Sequence, residues 1–186
     1  MGMLVGALGA LVLAGSAPAV ADTDRVTDAR GDTATEDGRN PGQRTADILR
    51  FDSHHGEDRV AFRFLMADVD PRATLYATAV VRTSDGRRFQ AQVGKLVDEP
   101  RRFLWISRGS GRSIRCPDAD ASVRPATRTV WISVPRSCLG EPRWVRTGGL
   151  VESRPPQGSV FTDDARRDGR VDEFDVALGS RRLARG

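Results

Sequence analysis

Apolar and polar residues alternate with a period of two through most of residues 46–150. Val60, Phe62, Phe64 and Met66 alternate with Arg59, Ala61, Arg63 and Leu65, the pattern of a strand with one face buried. Residues 48–53 are placed to pair with it across the turn His55-Gly56-Glu57-Asp58. Leu75, Ala77, Ala79 and Val81 make the next inward face. Asp85-Gly86 then reads as a type I′ hairpin, and Phe89, Ala91 and Val93 return with Gln90, Gln92 and Gly94 facing the other way. Short strands are expected at 102–107 and 113–116, around Gly109-Ser110-Gly111. Val130, Ile132 and Val134 alternate with Thr129, Trp131 and Ser133, and Pro135 ends that strand because it has no N–H for a ladder. Residues 142–147, with Trp144 and Val145, begin the last one. No stretch beyond the N-terminal apolar segment has a 3.6-residue period. Short strands with regular turn signals predict an all-β fold, an antiparallel β-sandwich of jelly-roll-like type.

The flanks differ. Residues 1–21 carry no charge; 3–14 are an almost unbroken apolar and glycine run, and Ala19-Val20-Ala21 stands just before Asp22. That run is too short to span a bilayer and fits a secretory h-region with an Ala-x-Ala cleavage site. Residues 1–21 are therefore expected to be a signal peptide, and the mature chain to be secreted, extracellular or associated with the cell envelope. No Lys or Arg precedes the run, so an uncleaved anchor or a buried apolar helix is the competing reading. Residues 22–45 are polar without apolar periodicity and read as an irregular arm. Residues 151–186, with Pro155-Pro156, read as a tail or as an arm wrapped on the sandwich. One domain is expected, at 46–150.

Charge narrows the partners. The formal net charge is +4, and Lys95 is the only lysine, leaving 28 of the 29 basic residues as arginine. They are scattered, whereas a nucleic-acid binder gathers them on one face; what remains is a general positive field toward anionic cell-surface polymer. Cys116 and Cys138 are the only cysteines. In an exported chain such a pair favours a disulfide, and a closed loop of roughly twenty residues corresponds to about 3 kcal/mol of stabilisation. With no histidine near either, the two cysteines cannot build a structural zinc site alone.

The usual catalytic arrangements are missing. His54 and His55 are the only histidines; adjacent residues on a strand point to opposite faces, and beside Gly56 they read as exposed turn residues. There is no Gly-x-Ser-x-Gly elbow and no nucleotide loop. A non-enzyme is expected, the alternatives being a secreted hydrolase working through two carboxylates and an envelope structural or inhibitor-like protein. Calcium is the best chemical reading of the acids. Asp28-Ala29-Arg30-Gly31-Asp32 puts two carboxylates around a glycine turn, Asp47 opens the first strand, and calcium tolerates irregular oxygen-rich loops. Asp163 and Asp164 with Asp168 form a second acidic group. The competing reading of both is solvated loop acids paired with arginines. Tyr76 and Trp131 lie on outward strand faces and, with Trp105 and Trp144, are candidates for stacking on sugar rings; packing beneath the terminal arms is the competing fate.

The Asp-x-x-Gly-Asp arm leading into Ala46-Asp47-Ile48 and a sandwich resembles secreted jelly-roll carbohydrate-binding and DOMON-like modules. That resemblance implies calcium carried by Asp28, Asp32 and Asp47, and a glycan ligand. The run from Val130 to Gly140, followed by Pro142-Arg143-Trp144-Val145-Arg146, resembles small secreted actinobacterial proteins of uncharacterised function, over most of 46–150. The expected function is non-catalytic binding of a cell-wall glycan or an extracellular protein, with a structural calcium ion.

Overall fold

The computed structural model describes residues 21–35, 37–40, 42–97, 102–109, 111–156, 158–168, 171 and 175–186. The expected signal peptide lies outside the described residues except for Ala21. The strands among the described residues are β1 (Asp22–Thr27), β2 (Ala34–Thr35), β3 (Gly38–Arg39), β4 (Ile48–His55), β5 (Arg59–Met66), β6 (Thr74–Thr83) and β7 (Arg88–Lys95). They continue as β8 (Phe103–Arg108), β9 (Arg112–Ser113), β10 (Asp120–Arg124), β11 (Thr129–Pro135), β12 (Trp144–Arg154), β13 (Phe161–Asp164) and β14 (Leu183–Ala184).

They pair antiparallel in two sheets. The first has the order β1-β4-β5-β11-β10; the second has β3-β2-β13-β12-β6-β7-β8-β9, with β14 also on β12. The alternation seen in the sequence decides which side of each strand closes the sandwich. Phe51, Val60, Phe62, Phe64, Val130, Ile132 and Val134 from the first sheet meet Leu75, Ala77, Ala79, Val81, Phe89, Val93, Val145 and Val151 from the second, all buried. The two sheets approach closely at Gly149, where a Cβ would stand 2.7–2.8 Å from the Phe64 and Phe51 rings. Glycine is what lets those rings fill the centre. Two buried hydroxyl pairs lie among the apolar residues, Ser53 with Thr147 at 2.7 Å and Ser153 with Thr45 at 2.8 Å, so these polar groups are satisfied inside the core. Cys116 and Cys138 are bonded, their Cα atoms 5.8 Å apart. The bridge ties the loop beyond β9, at the margin of the second sheet, to the turn after β11 in the first.

The polar flanks do more than the sequence pattern foretells. Residues 22–27, expected in an irregular arm, form β1, which pairs along its whole length with β4. An edge strand needs only one buried side or none, so apolar alternation is not required of it. Here the ladder is supplemented by ion pairs from Arg25 to Asp52 and from Asp22 to Arg181, and a charged edge discourages pairing with another chain. β12 runs on to Arg154, and β13 and β14 extend the second sheet beyond residue 150. Within the C-terminal arm, Val176, with Val171 and Leu178, packs on Val80 and Leu150 at this sheet's outer face.

Three local expectations need correction. In the β6–β7 turn, Gly86 has φ 81° but Asp85 does not share it, so the connection is not type I′, which needs positive φ at both central residues. Of the strand expected at 113–116, only Ser113 lies in β9, although the Ile114 amide still donates to Ile106 at 2.9 Å. The histidines are not turn residues: both lie on β4, and His55 is completely buried. No described helix is long and apolar enough to cross a membrane.

Candidate functional site

With alternate residues of β6, β7, β8 and β12 committed to the core, the other half must face away from it, and strand register aligns them in rows. Glu152 stands opposite Tyr76, Tyr76 opposite Gly94, and Gly94 opposite Phe103. The next row is Leu150, Thr78, Gln92 and Trp105; the next carries Val80 and Gln90. Part of these rows lines a groove of about 670 Å³ whose walls include Tyr76, Trp105, Gln90, Gln92, Arg88 and Glu152. Phe103 and Trp105 are 37% and 36% exposed, high for such large apolar side chains. Tyr76 packs against Phe103 with ring centroids 6.0 Å apart. Gly94 makes room for this: a Cβ there would come within 2.2 Å of the Phe103 ring. The Gln92 amide donates to Thr78 Oγ1 at 3.1 Å, which fixes its orientation. Leu150 is shared between the groove and the cluster under Val176, so the C-terminal arm borders the groove on that side.

The structure does not bring Tyr76 and Trp131 together. Both face outward, but Trp131 is on β11 in the first sheet, between Arg63 and Ser122, on the opposite side of the sandwich. Trp144, on β12, carries the Arg182 guanidinium 4.6 Å from its ring centroid. The aromatic residues that join Tyr76 are Trp105, which the sequence reading considered, and Phe103, which it did not. Gln90 and Gln92 were legible as outward-facing, since Phe89, Ala91 and Val93 face inward.

A second constellation lies at the edge where β1 and β4 meet β13. Asp28 and Asp32 come from the loop after β1, Asp47 immediately precedes β4, and Asp163 is on β13. Carboxylate oxygens of Asp32, Asp47 and Asp163 lie within 4.8 Å of one another, as do those of Asp28, Asp32 and Asp168. All three expected calcium ligands are therefore neighbours here. The two acidic groups that looked separate in the sequence are one, with Asp163 and Asp168 added. Asp32, Asp47 and Asp163 are buried. Burial, reinforced by the charge of Asp32, pushes the Asp28 carboxyl up to about 8. Burial, with Asp28, Asp32 and Asp47 nearby, pushes Asp163 up to about 9. Burial likewise raises Asp32 and Asp47. Burial raises Asp164 too, but both its oxygens are used, accepting from the Arg166 and Ala177 amides at 3.0 and 2.7 Å, so it anchors the C-terminal arm.

No known protein family, curated protein or solved structure matches this chain.

Proposed function

We propose that this chain is a non-catalytic binding module that works outside the cell and takes a glycan in the groove on the outer face of the second sheet. The observation that carries the reading is the row arrangement of Tyr76 and Trp105 beside Gln90, Gln92 and Thr78 in the groove, with Phe103 packed on Tyr76. Aromatic faces match the apolar faces of sugar rings, and amides that both donate and accept match ring hydroxyls. The groove is open along one side of a sheet, which suits a chain-like ligand. Arg88 offers a bidentate partner to a carboxylate or phosphate substituent. The disulfide and the apolar run at residues 3–14 support a location outside the cell.

The hydrolase alternative asks for two carboxylates flanking one bond. Glu152 is the one carboxylate lining the groove among the described residues, and the clustered aspartates Asp32, Asp47 and Asp163 are enclosed.

The test is depletion of the purified protein by a panel of insoluble polysaccharides, cellulose, chitin and peptidoglycan among them, with affinity electrophoresis for soluble and acidic ones. Retention on one class is expected, weakened by Trp105→Ala and unaffected by Trp131→Ala on the other sheet. Absence of retention on every polymer, or release of soluble sugar by the protein, would overturn the reading.

A further inference from the structure

We infer that Asp28, Asp32, Asp47, Asp163 and Asp168 form a site for one calcium ion that clasps the two sheets together at their β1–β4 and β13 edge. This goes beyond the groove and does not depend on it.

Most of these carboxylates already hold one backbone partner. One oxygen of Asp28 accepts from the Ala29 amide at 3.0 Å, one of Asp47 from Gly31 at 3.1 Å, and one of Asp163 from Ile48 at 2.7 Å. These backbone donors fix three side chains and leave Asp28 Oδ2, Asp47 Oδ2 and Asp163 Oδ1 buried without a partner. Asp32 goes further: it is 0% exposed, and neither of its oxygens has a donor. A carboxylate withdrawn from water with no hydrogen bond and no counter-ion is among the least favourable arrangements a folded chain can hold. None of the ion pairs formed among the described residues uses Asp28, Asp32, Asp47, Asp163 or Asp168. Arg39 near Asp32 and Arg30 and Arg44 near Asp47 act only at longer range, so at neutral pH the enclosed carboxyls either hold protons or take a cation from outside the chain, and the open oxygens favour the cation.

The chemistry of the donors selects the ion. All are carboxylate oxygens, with no histidine nitrogen or thiolate among them, which points to a hard divalent cation. Calcium holds oxygens at about 2.3–2.6 Å, so ligands on opposite sides of it stand roughly 4.6–5.2 Å apart. The carboxylate oxygens of each trio, all within 4.8 Å of one another, are close enough to share such an ion. Magnesium, at about 2.0–2.1 Å, demands near-ideal octahedral geometry and gives up its waters reluctantly. The ligands also arrive from three separated stretches of chain, and calcium's variable coordination accommodates such irregular loops. Asp168 is exposed, so one side of the ion remains open to water.

The test uses the purified full chain stripped with EGTA, then equilibrium dialysis with radioactive calcium and thermal melts in calcium, magnesium or EGTA. We expect one calcium per chain, a melting temperature raised by about 5–10 °C at a hundredfold excess over Kd, and magnesium at least tenfold weaker. Asp163→Asn keeps an oxygen for the Ile48 amide and removes one charge. It should bind calcium at least tenfold more weakly, yet melt in EGTA no lower than the unmodified protein. A role confined to folding would lower it in both media. Failure of the stripped protein to bind millimolar calcium, or identical melts in calcium and EGTA, would overturn the site even if the variant does not fold. Equal affinity for magnesium would overturn the assignment to calcium.

Discussion

Trp105→Ala is the substitution through which the groove reading can be tested most sharply, because the size of its effect follows from geometry. Trp105 is 36% exposed. A tryptophan side chain carries on the order of 250 Å², so roughly 90 Å² of it is open for a ligand to cover. At about 25 cal/mol per Å², complete cover contributes about 2 kcal/mol, roughly thirtyfold in Kd. The loss on truncation should therefore be of that order and no greater, and Trp105→Phe should recover much of it. Phe103, similarly exposed but smaller, should give a smaller loss. The fold should survive, since the inward residues of the same strand, Leu104 and Ile106, are what pack against the core. Isothermal titration with a soluble oligosaccharide of the retained class measures the affinity, and circular dichroism with a thermal melt checks the fold. A folded Trp105→Ala protein with unchanged Kd would refute the assignment of the ligand to this face, whatever it binds elsewhere.

Two further outcomes test the scaffold. Replacing Cys116 and Cys138 by serine opens a bridge spanning 22 positions and should cost about 3 kcal/mol in denaturant titration; an unchanged midpoint would mean that the link between the sheets contributes nothing. His55 gives a pH signature. Its Nδ1 donates to the Leu183 carbonyl at 2.9 Å and its Nε2 is buried without a partner; burial, with the Arg136 charge nearby, holds the imidazole below its ordinary range against the opposing pull of that hydrogen bond and of Asp22. The unfolded chain then binds a proton that the folded chain refuses, so stability falls as pH drops below about 6.5, by up to about 1.4 kcal/mol per unit. The difference in unfolding free energy between the unmodified protein and His55→Gln, taken at pH 7, 6 and 5 in calcium, should shrink accordingly; a flat difference would remove His55 from the account.

The central strands were legible because each buries one face, and burial imposes the two-residue period that Val60 to Met66 and Thr129 to Val134 display. β1 was not, because an edge strand held by its ladder and by ion pairs to Asp52 and Arg181 places no apolar demand on its sequence. The buried position of His55 was hidden for a related reason: its neighbours His54 and Gly56 look like a turn, whereas the residue that encloses it, Leu183, is 128 positions away.

The two sites divide along the same line. Alternation fixes which side of a strand a residue occupies, but not which sheet the strand joins. Tyr76 and Trp131 have the same outward parity and equal claim as a stacking pair from sequence, yet strand order sends them to opposite sides of the molecule. Asp28, Asp32 and Asp47 could be read together because they share one loop and the start of one strand. Asp163 could not: it reaches Ile48 across 115 positions, through the closure of the sandwich itself. That closure also accounts for why the cluster matters. β13, which carries Asp163, pairs with β12, and β12 supplies Leu150 and Glu152 to the groove. The cost of enclosing these carboxyls without an ion would therefore act on a strand next to the binding face. An ion at this edge would hold β13 in register from its inward side without touching any residue that meets the ligand.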